Sequence, residues 1–295
     1  MDTARAVMFS KFVIVLLLTA GAVVDATHAQ VLFDGSQGSG PEVQGWIVFA
    51  PPPQTSGVAE GAFTLDSRPA GNAGLGGLSR QAPSDLDSAA GYSLRLTLQV
   101  KAETHQSAHR SGVSLIVLGA DRRGIELAFW TDRLWAQADS PLFTHAEEGL
   151  IDTTRGFVEY TVAVSADTYT VTADGIPVLS GPLRNYTAFT GFPDVYEIPN
   201  LLFLGDDTTS ASGALSLRWM ELVMPTPKLS IRTQSTTALE VTWPADSGPW
   251  MLEQSTVLGD TSNWRPVEEP PSQTDGFHRL TLTTDAPTRY FRLRR

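Results

Sequence analysis

Tyr92-Ser-Leu-Arg-Leu-Thr-Leu-Gln-Val100 alternates apolar and polar residues along its whole length. Tyr92, Leu94, Leu96, Leu98 and Val100 fall on one side. Ser93, Arg95, Thr97 and Gln99 fall on the other. A period of two is that of a strand with one buried face, because successive side chains of extended backbone point to opposite faces. Shorter runs of the same character recur on both sides of it: Trp46–Phe49, Ala62–Asp66, Gly112–Leu118, Ile125–Trp130, Leu134–Ala138, Phe157–Val164, Tyr169–Ala173, Ile176–Ser180, Leu201–Leu204 and Ala214–Val223. Turn residues separate them, at Asp121-Arg-Arg-Gly124, Asp132-Arg133 and Ala173-Asp-Gly175. Asp174-Gly175 between two strands is a hairpin signal, since both positions tolerate positive φ. No long 3.6-residue periodicity appears. Many short strands at regular spacing predict an all-β chain, built as a two-layer sandwich or jelly roll.

Two segments depart from the alternation. Pro51-Pro52-Pro53 to Gly61 reads as a loop, and Ala70 to Gly77 is rich in glycine and alanine. The glycines do not follow a strand and open a helix, so they are not a nucleotide loop. Met224-Pro-Thr-Pro-Lys228 reads as a linker, with 225–228 at its centre, because paired prolines stiffen a short spacer. Beyond it, six short runs between Leu229 and Leu293 predict a second, small β-sandwich over residues 229–295.

The N-terminus carries an export signal. Arg5 and Lys11 precede the apolar run Phe12–Val24, and Thr27-His28-Ala29 puts small residues at the −3 and −1 positions of a cleavage site before Gln30. The run is shorter than the ~20 residues a spanning helix needs. Residues 1–29 are therefore expected to be removed. The expected product is a secreted protein, extracellular or in a bacterial cell envelope, with no membrane span and a first domain over 30–224. The formal net charge of −11 repels polyanions, which argues against nucleic acid and anionic lipid as partners. The chain contains no cysteine. Thiol catalysis, cysteine-ligated zinc and disulfide stapling are thus excluded, and stability must come from core burial. Nothing in the sequence sets the oligomeric state.

Three stretches carry a resemblance: Gly124–Ala138 (GIELAFWTDRLWAQA), Pro141–Gly149 (PLFTHAEEG) and Pro199–Gly213 (PNLLFLGDDTTSASG). Together they resemble the bacterial exported domain family known as choice-of-anchor Y, loosely over Val31–Val223. Leu32-Phe-Asp-Gly35 followed by Gly45-Trp46 is similar to the 3-keto-disaccharide hydrolase-like domain, a concanavalin-like jelly roll that acts on sugars. Leu239-Glu-Val-Thr-Trp243, Trp250-Met-Leu-Glu-Gln-Ser255, Trp264 and Tyr290-Phe-Arg-Leu293 resemble an immunoglobulin- or fibronectin-like module of exported proteins. These resemblances imply a concanavalin-like jelly roll followed by an Ig-like module, and carbohydrate as a ligand class. The sequence up to Arg294-Arg295 shows no apolar helix followed by basic residues, the sorting signal such families often carry, so surface anchoring by that route is not expected.

The densest polar and aromatic cluster is Gly124–Glu148. As a strand, it sends Ile125, Leu127 and Phe129 to the core. Glu126, Ala128, Trp130 and Asp132 then share the opposite face. Carboxylates accept hydroxyl hydrogen bonds and indoles stack on pyranose faces, so this row, extended by Trp135, reads as a carbohydrate-binding strip. Arg110, His145 and Glu147 join it as candidate ligand contacts, with His145 and Glu147 placed on one face. A second reading is a hydrolase or lyase using Glu126 with His145 or Asp206. Glu147 and Glu148 are adjacent in a strand and point apart, as do Asp206 and Asp207, so neither adjacent pair can be a catalytic couple. A partner for Glu126 must come from another strand. The jelly-roll glucanase motif E-x-D-x-E and a Gly-x-Ser-x-Gly elbow are both absent. Asp206 and Asp207 in a Thr/Ser-rich turn are candidate calcium ligands, though Asx turn-capping accounts for them equally. No other cofactor is expected. A third reading is a structural envelope or adhesion protein without a small-molecule site.

Overall fold

The computed structural model describes residues 27–191, 194–225, 227–235, 237–245, 250–257, 263–283 and 288–294. Phe12–Val24, the apolar run of the expected export signal, lies outside them. The chain divides into two compact units, Thr27–Pro225 and residues 226–295.

The large unit consists of two antiparallel sheets. The first contains β1 (Thr27–Asp34), β3 (Thr55–Ala59), β4 (Ala62–Asp66), β6 (Tyr92–His105), β11 (Val158–Ser165), β12 (Thr168–Ala173), β13 (Ile176–Pro182) and β16 (Ala211–Pro225). Its order is β13-β12-β11-β6-β16-β4-β3, with β1 also paired to β16. The second contains β2 (Ile47–Phe49), β5 (Gly76–Gln81), β7 (Ser114–Leu118), β8 (Arg123–Phe129), β9 (Arg133–Asp139), β10 (Leu142–Leu150), β14 (Arg184–Asn185) and β15 (Leu201–Asp206). Its order is β10-β9-β8-β7-β15-β5-β2, with β14 also paired to β8.

The alternation at Tyr92–Val100 is realised in β6. Tyr92, Leu94, Leu96, Leu98 and Val100 are buried, while Ser93, Arg95, Thr97 and Gln99 are not. They pack against Leu115, Val117, Ile125, Leu127, Phe129, Leu202 and Leu204 of the second sheet in one hydrophobic core. Beside consecutive hairpins such as β7-β8-β9-β10 and β11-β12-β13, strands distant in the chain pair, β6 with β16 and β5 with β15, which is the connectivity of a jelly roll rather than a simple meander. The Gly-rich Ala70–Gly77 stretch is a 3-10 turn, Arg68–Ala73, running into β5. Met224 and Pro225, placed in the linker by the sequence reading, belong to the end of β16, where Pro225 faces Thr27.

The outer face of the second sheet is also covered. Tyr186, Phe189, Val195, Tyr196 and Ile198, from the segment after β14, pack on Ile116, Leu118, Leu201 and Phe203 and make a second apolar cluster. This cover decides which residues of β7, β8 and β15 meet solvent.

The small unit is a sandwich of β17 (Ser230–Ser235), β18 (Ala238–Pro244), β22 (Phe277–Thr283) and β21 (Ser272–Thr274) over β20 (Arg265–Pro266), β19 (Met251–Ser255) and β23 (Tyr290–Arg294). Val241, Trp243, Leu252, Leu280 and Leu282 form its core. No described helix is long and apolar enough to cross a membrane.

Candidate functional site

Register places the site. Across β15, β7 and β8, Phe203, Ile116 and Glu126 stand in one row. Gly205, Ser114, Ala128 and, on β9, Trp135 stand in the next. All face away from the main core. At Glu126 the β8–β9 ladder opens. The Tyr186 hydroxyl stands between the two strands, accepting from the Glu126 N–H at 3.2 Å and donating to the Gln137 carbonyl at 2.8 Å. Beyond it β14 takes the place of β9, with Arg184 opposite Gly124.

The Glu126 side chain is only 1% exposed. Its Oε2 accepts the Tyr196 hydroxyl at 2.5 Å, and its carboxyl meets that of Asp207, just past β15. Burial drives Glu126 well above the usual carboxylate range, and the Asp207 charge adds to this. Burial pushes Asp207 up as well, but a hydrogen bond from Glu126 and the Arg110 charge oppose that rise. Of the two carboxyls, Glu126 thus holds a proton the more firmly, and Asp207, which the Arg110 charge favours as an anion, gives it up first. Asp207 keeps part of its surface open although its carboxyl lies inside. Ser114 Oγ lies beside it without meeting the geometry of a hydrogen bond.

Arg110 is delivered by a clamped loop. Three successive carbonyls between β6 and β7 are held by side chains of the second sheet. His145 Nδ1 meets Ala108 O at 3.3 Å, Gln137 Nε2 donates to His109 O at 3.2 Å, and Trp130 Nε1 donates to Arg110 O at 2.9 Å. The Arg110 guanidinium then rests 4.5 Å from the centre of the Phe143 ring.

This geometry corrects most of the expected binding strip. Trp135 is fully buried and covered by His145, so its face cannot meet a sugar. Trp130 lies beyond the end of β8, and His105 stacks on it at 4.0 Å. Asp132 sits in the exposed β8–β9 turn, ion-paired to Arg133, away from Glu126. His145 and Glu147 do not share a face, because β10 is irregular on both sides of His145 and an inserted residue reverses the alternation. His145 pairs with Glu148 at 3.0 Å, whereas Glu147 pairs with the buried Arg184. Glu147 and Glu148 do point apart.

Asp206 and Asp207 also diverge. Asp206 accepts the Ser67 hydroxyl at 2.6 Å and the Thr208 N–H at 3.2 Å, so the two carboxylates do not converge on one cation. The described residues hold no cluster of three or more acidic or histidine side chains suited to a metal. Neither His145 nor Asp206 reaches Glu126; the partner is Asp207. Sequence reasoning required a carboxylate from another strand but missed Tyr186, Tyr196 and Ser114, which carry no motif. Tyr186 and Tyr196 lie between the predicted strands Ile176–Ser180 and Leu201–Leu204, where no alternation announces a cover.

The chain matches no family model and no curated protein sequence, so the choice-of-anchor resemblance has no family-model match behind it. Among solved structures, a conserved carbohydrate esterase from the Shiga toxin-encoding bacteriophage phi24B is similar with a TM-score of 0.50 at 12% identity, over 68% of this chain and 100% of that one. The large unit is a jelly-roll sandwich. The family 7 alginate lyase A1-II′ (TM-score 0.41, 11% identity, 67% of this chain and 93% of that one) and the carbohydrate recognition domain of Emp46p (0.42, 10%, 65% and 94%) lie further off. At such identities likeness is one of fold.

Proposed function

We propose that this is an exported protein that binds carbohydrate or a surface polymer, with the ligand meeting the large unit where Asp207 and Arg110 approach the surface. The observation that carries this reading is the Glu126–Asp207–Arg110 constellation. A carboxylate and a guanidinium side by side accept from and donate to neighbouring hydroxyls. The export-type N-terminus and the acidic net charge agree with an extracellular, non-nucleic-acid partner. The fold shared with a carbohydrate esterase supports the ligand class by analogy only. The choice-of-anchor and Ig-like resemblances fit the same setting, the small unit then acting as an accessory or spacer. Calorimetry and pull-down against plant, algal and bacterial polysaccharides test the reading. Binding by the native chain, weakened about tenfold in Asp207→Asn and Arg110→Gln, supports it; a blank across the panel ends it.

A second reading, a hydrolase or lyase, is favoured by one feature. Two adjoining carboxyls that hold their protons unequally can serve as acid and base by turns. Release of reducing ends or unsaturated products, abolished in Asp207→Asn, would replace the binding reading with this one.

A further inference from the structure

The two segments that depart from strand alternation, Pro51–Pro53 and the Gly-rich Ala70–Gly77, meet at the β2 edge of the second sheet. Between them lies a cleft of about 450 Å³. Pro51, Pro52 and Pro53 line it from one segment. Pro69, Ala70 and Leu75 line it from the 3-10 turn and the residues after it, and Phe49 from the end of β2. Phe49 is 57% exposed, and Pro52, Pro53 and Pro69 are exposed as well, so the cleft opens to solvent.

One buried side chain ties the two segments together. The Gln54 N–H donates to the Pro51 carbonyl at 3.1 Å, and Gln54 Nε2 donates to the Leu75 carbonyl at 2.7 Å. A Cβ at Gly74 would collide with Nε2, and one at Gly76 with Oε1, so both positions need glycine. The lining carries no charged side chain. Its four prolines have no N–H to offer, and Gln54 already donates within the protein. Arg68, beside Pro69 in sequence, is paired with Asp66. What remains is an apolar surface of one aromatic ring and several pyrrolidine rings, open to water along its rim. It suits a flat guest with an apolar face and a hydrated edge, which describes the C–H face of a pyranose ring.

The cleft adjoins the Asp207 site. Asp206 pairs with Gly76 across β15 and β5, and neighbouring strands lie about 4.8 Å apart. The next residues outward, Asp207 and Leu75, leave the ladder from adjacent positions. Ser67, at the start of the turn that carries Pro69 and Ala70, donates its hydroxyl to Asp206. Cleft and Asp207 thus flank one joint.

We propose that this cleft is a second subsite of the ligand-binding surface, stacking the C–H face of a sugar ring further along the same chain that meets Asp207 and Arg110. This rests on the carbohydrate-binding reading above. It adds the direction of the bound chain, across the end of β5, and a preference for long chains over short sugars.

Calorimetry on the full chain compares laminarihexaose, xylohexaose, mannohexaose and hexaguluronate with the disaccharide of each. The expected result is that a hexasaccharide binds more tightly than its disaccharide, and that Phe49→Ala lowers this ratio about fivefold. Phe49→Trp, which keeps a ring in the cleft, should restore the ratio. Asp207→Asn should weaken both lengths alike. If the native chain binds both lengths equally, or the ratio survives Phe49→Ala, the subsite is wrong and the binding reading stands. If the native chain self-associates in sedimentation velocity, and Phe49→Ala abolishes this without changing the ratio, the cleft receives a second copy instead. If no probe binds, both readings fall.

Discussion

His145 lies flat on Trp135, their ring centres 4.0 Å apart and their planes 11° from parallel. The imidazole thus occupies the place where a sugar ring would stack. It also bonds to the Ala108 carbonyl and to Glu148, joining loop, sheet and aromatic cluster. His145→Ala should cost about 1–2 kcal/mol in urea unfolding and shift tryptophan emission to the red. His145→Phe, which keeps a ring over Trp135, should lose less. Equal losses would show that the stacked contact contributes nothing.

Tyr186 and Tyr92 are both buried, but only one hydroxyl is in use. Tyr186→Phe strips the Glu126 N–H and the Gln137 carbonyl of their shared partner and should destabilise by about 1–3 kcal/mol. The Tyr92 hydroxyl is buried without a partner, so Tyr92→Phe should be neutral or mildly stabilising. Paired chemical denaturation of the two variants decides this, and a larger loss at Tyr92 would contradict the assignment.

Asp206 makes folding pH-dependent. Burial raises it from 3.8 to about 8. Between those values the folded chain keeps a proton that the unfolded chain has released. The contribution is therefore complete below about pH 4 and is lost as pH climbs through about 8. Both proton states find partners through Ser67, whose hydroxyl either donates to Asp206 or accepts from it while donating to the Gly213 carbonyl. Each tenfold gain in proton affinity on folding is worth ~1.4 kcal/mol, so native stability should fall by several kcal/mol between pH 4 and pH 8. Asp206→Asn should flatten that slope; parallel profiles would refute the burial argument.

Glu147 supports Arg184, a nearly buried cation whose Nη2 donates to both carboxylate oxygens, at 2.7 and 2.5 Å. Removing one partner strands the other. Glu147→Ala should cost about 2–4 kcal/mol, and Glu147→Ala with Arg184→Met should regain much of it. Thermal melts of the single and double variants measure the coupling, and simple additivity would argue against a dependent pair.

The strands were legible because their signal is local. The alternation in β6 names its own buried face, and the apolar positions of β8 pack as their spacing predicts. The site was legible only in part. Glu126 stood out as an acid on the face opposite the core, and Arg110 and Asp207 were both candidates, but nothing local joined the three. The β10 irregularities turned His145 toward Glu148 and Glu147 toward Arg184, and no alternation rule foresees an inserted residue.

The sequence alone determined the all-β class and the core faces of β6 and β8, since each follows from residue order over a few positions. Tertiary structure decided which polar face stays open. Tyr186 and Tyr196, some sixty to seventy residues from Glu126 along the chain, fold over it and turn an expected surface acid into a buried proton holder. A side chain's solvation depends on what packs against it through space, and local periodicity carries no information about that.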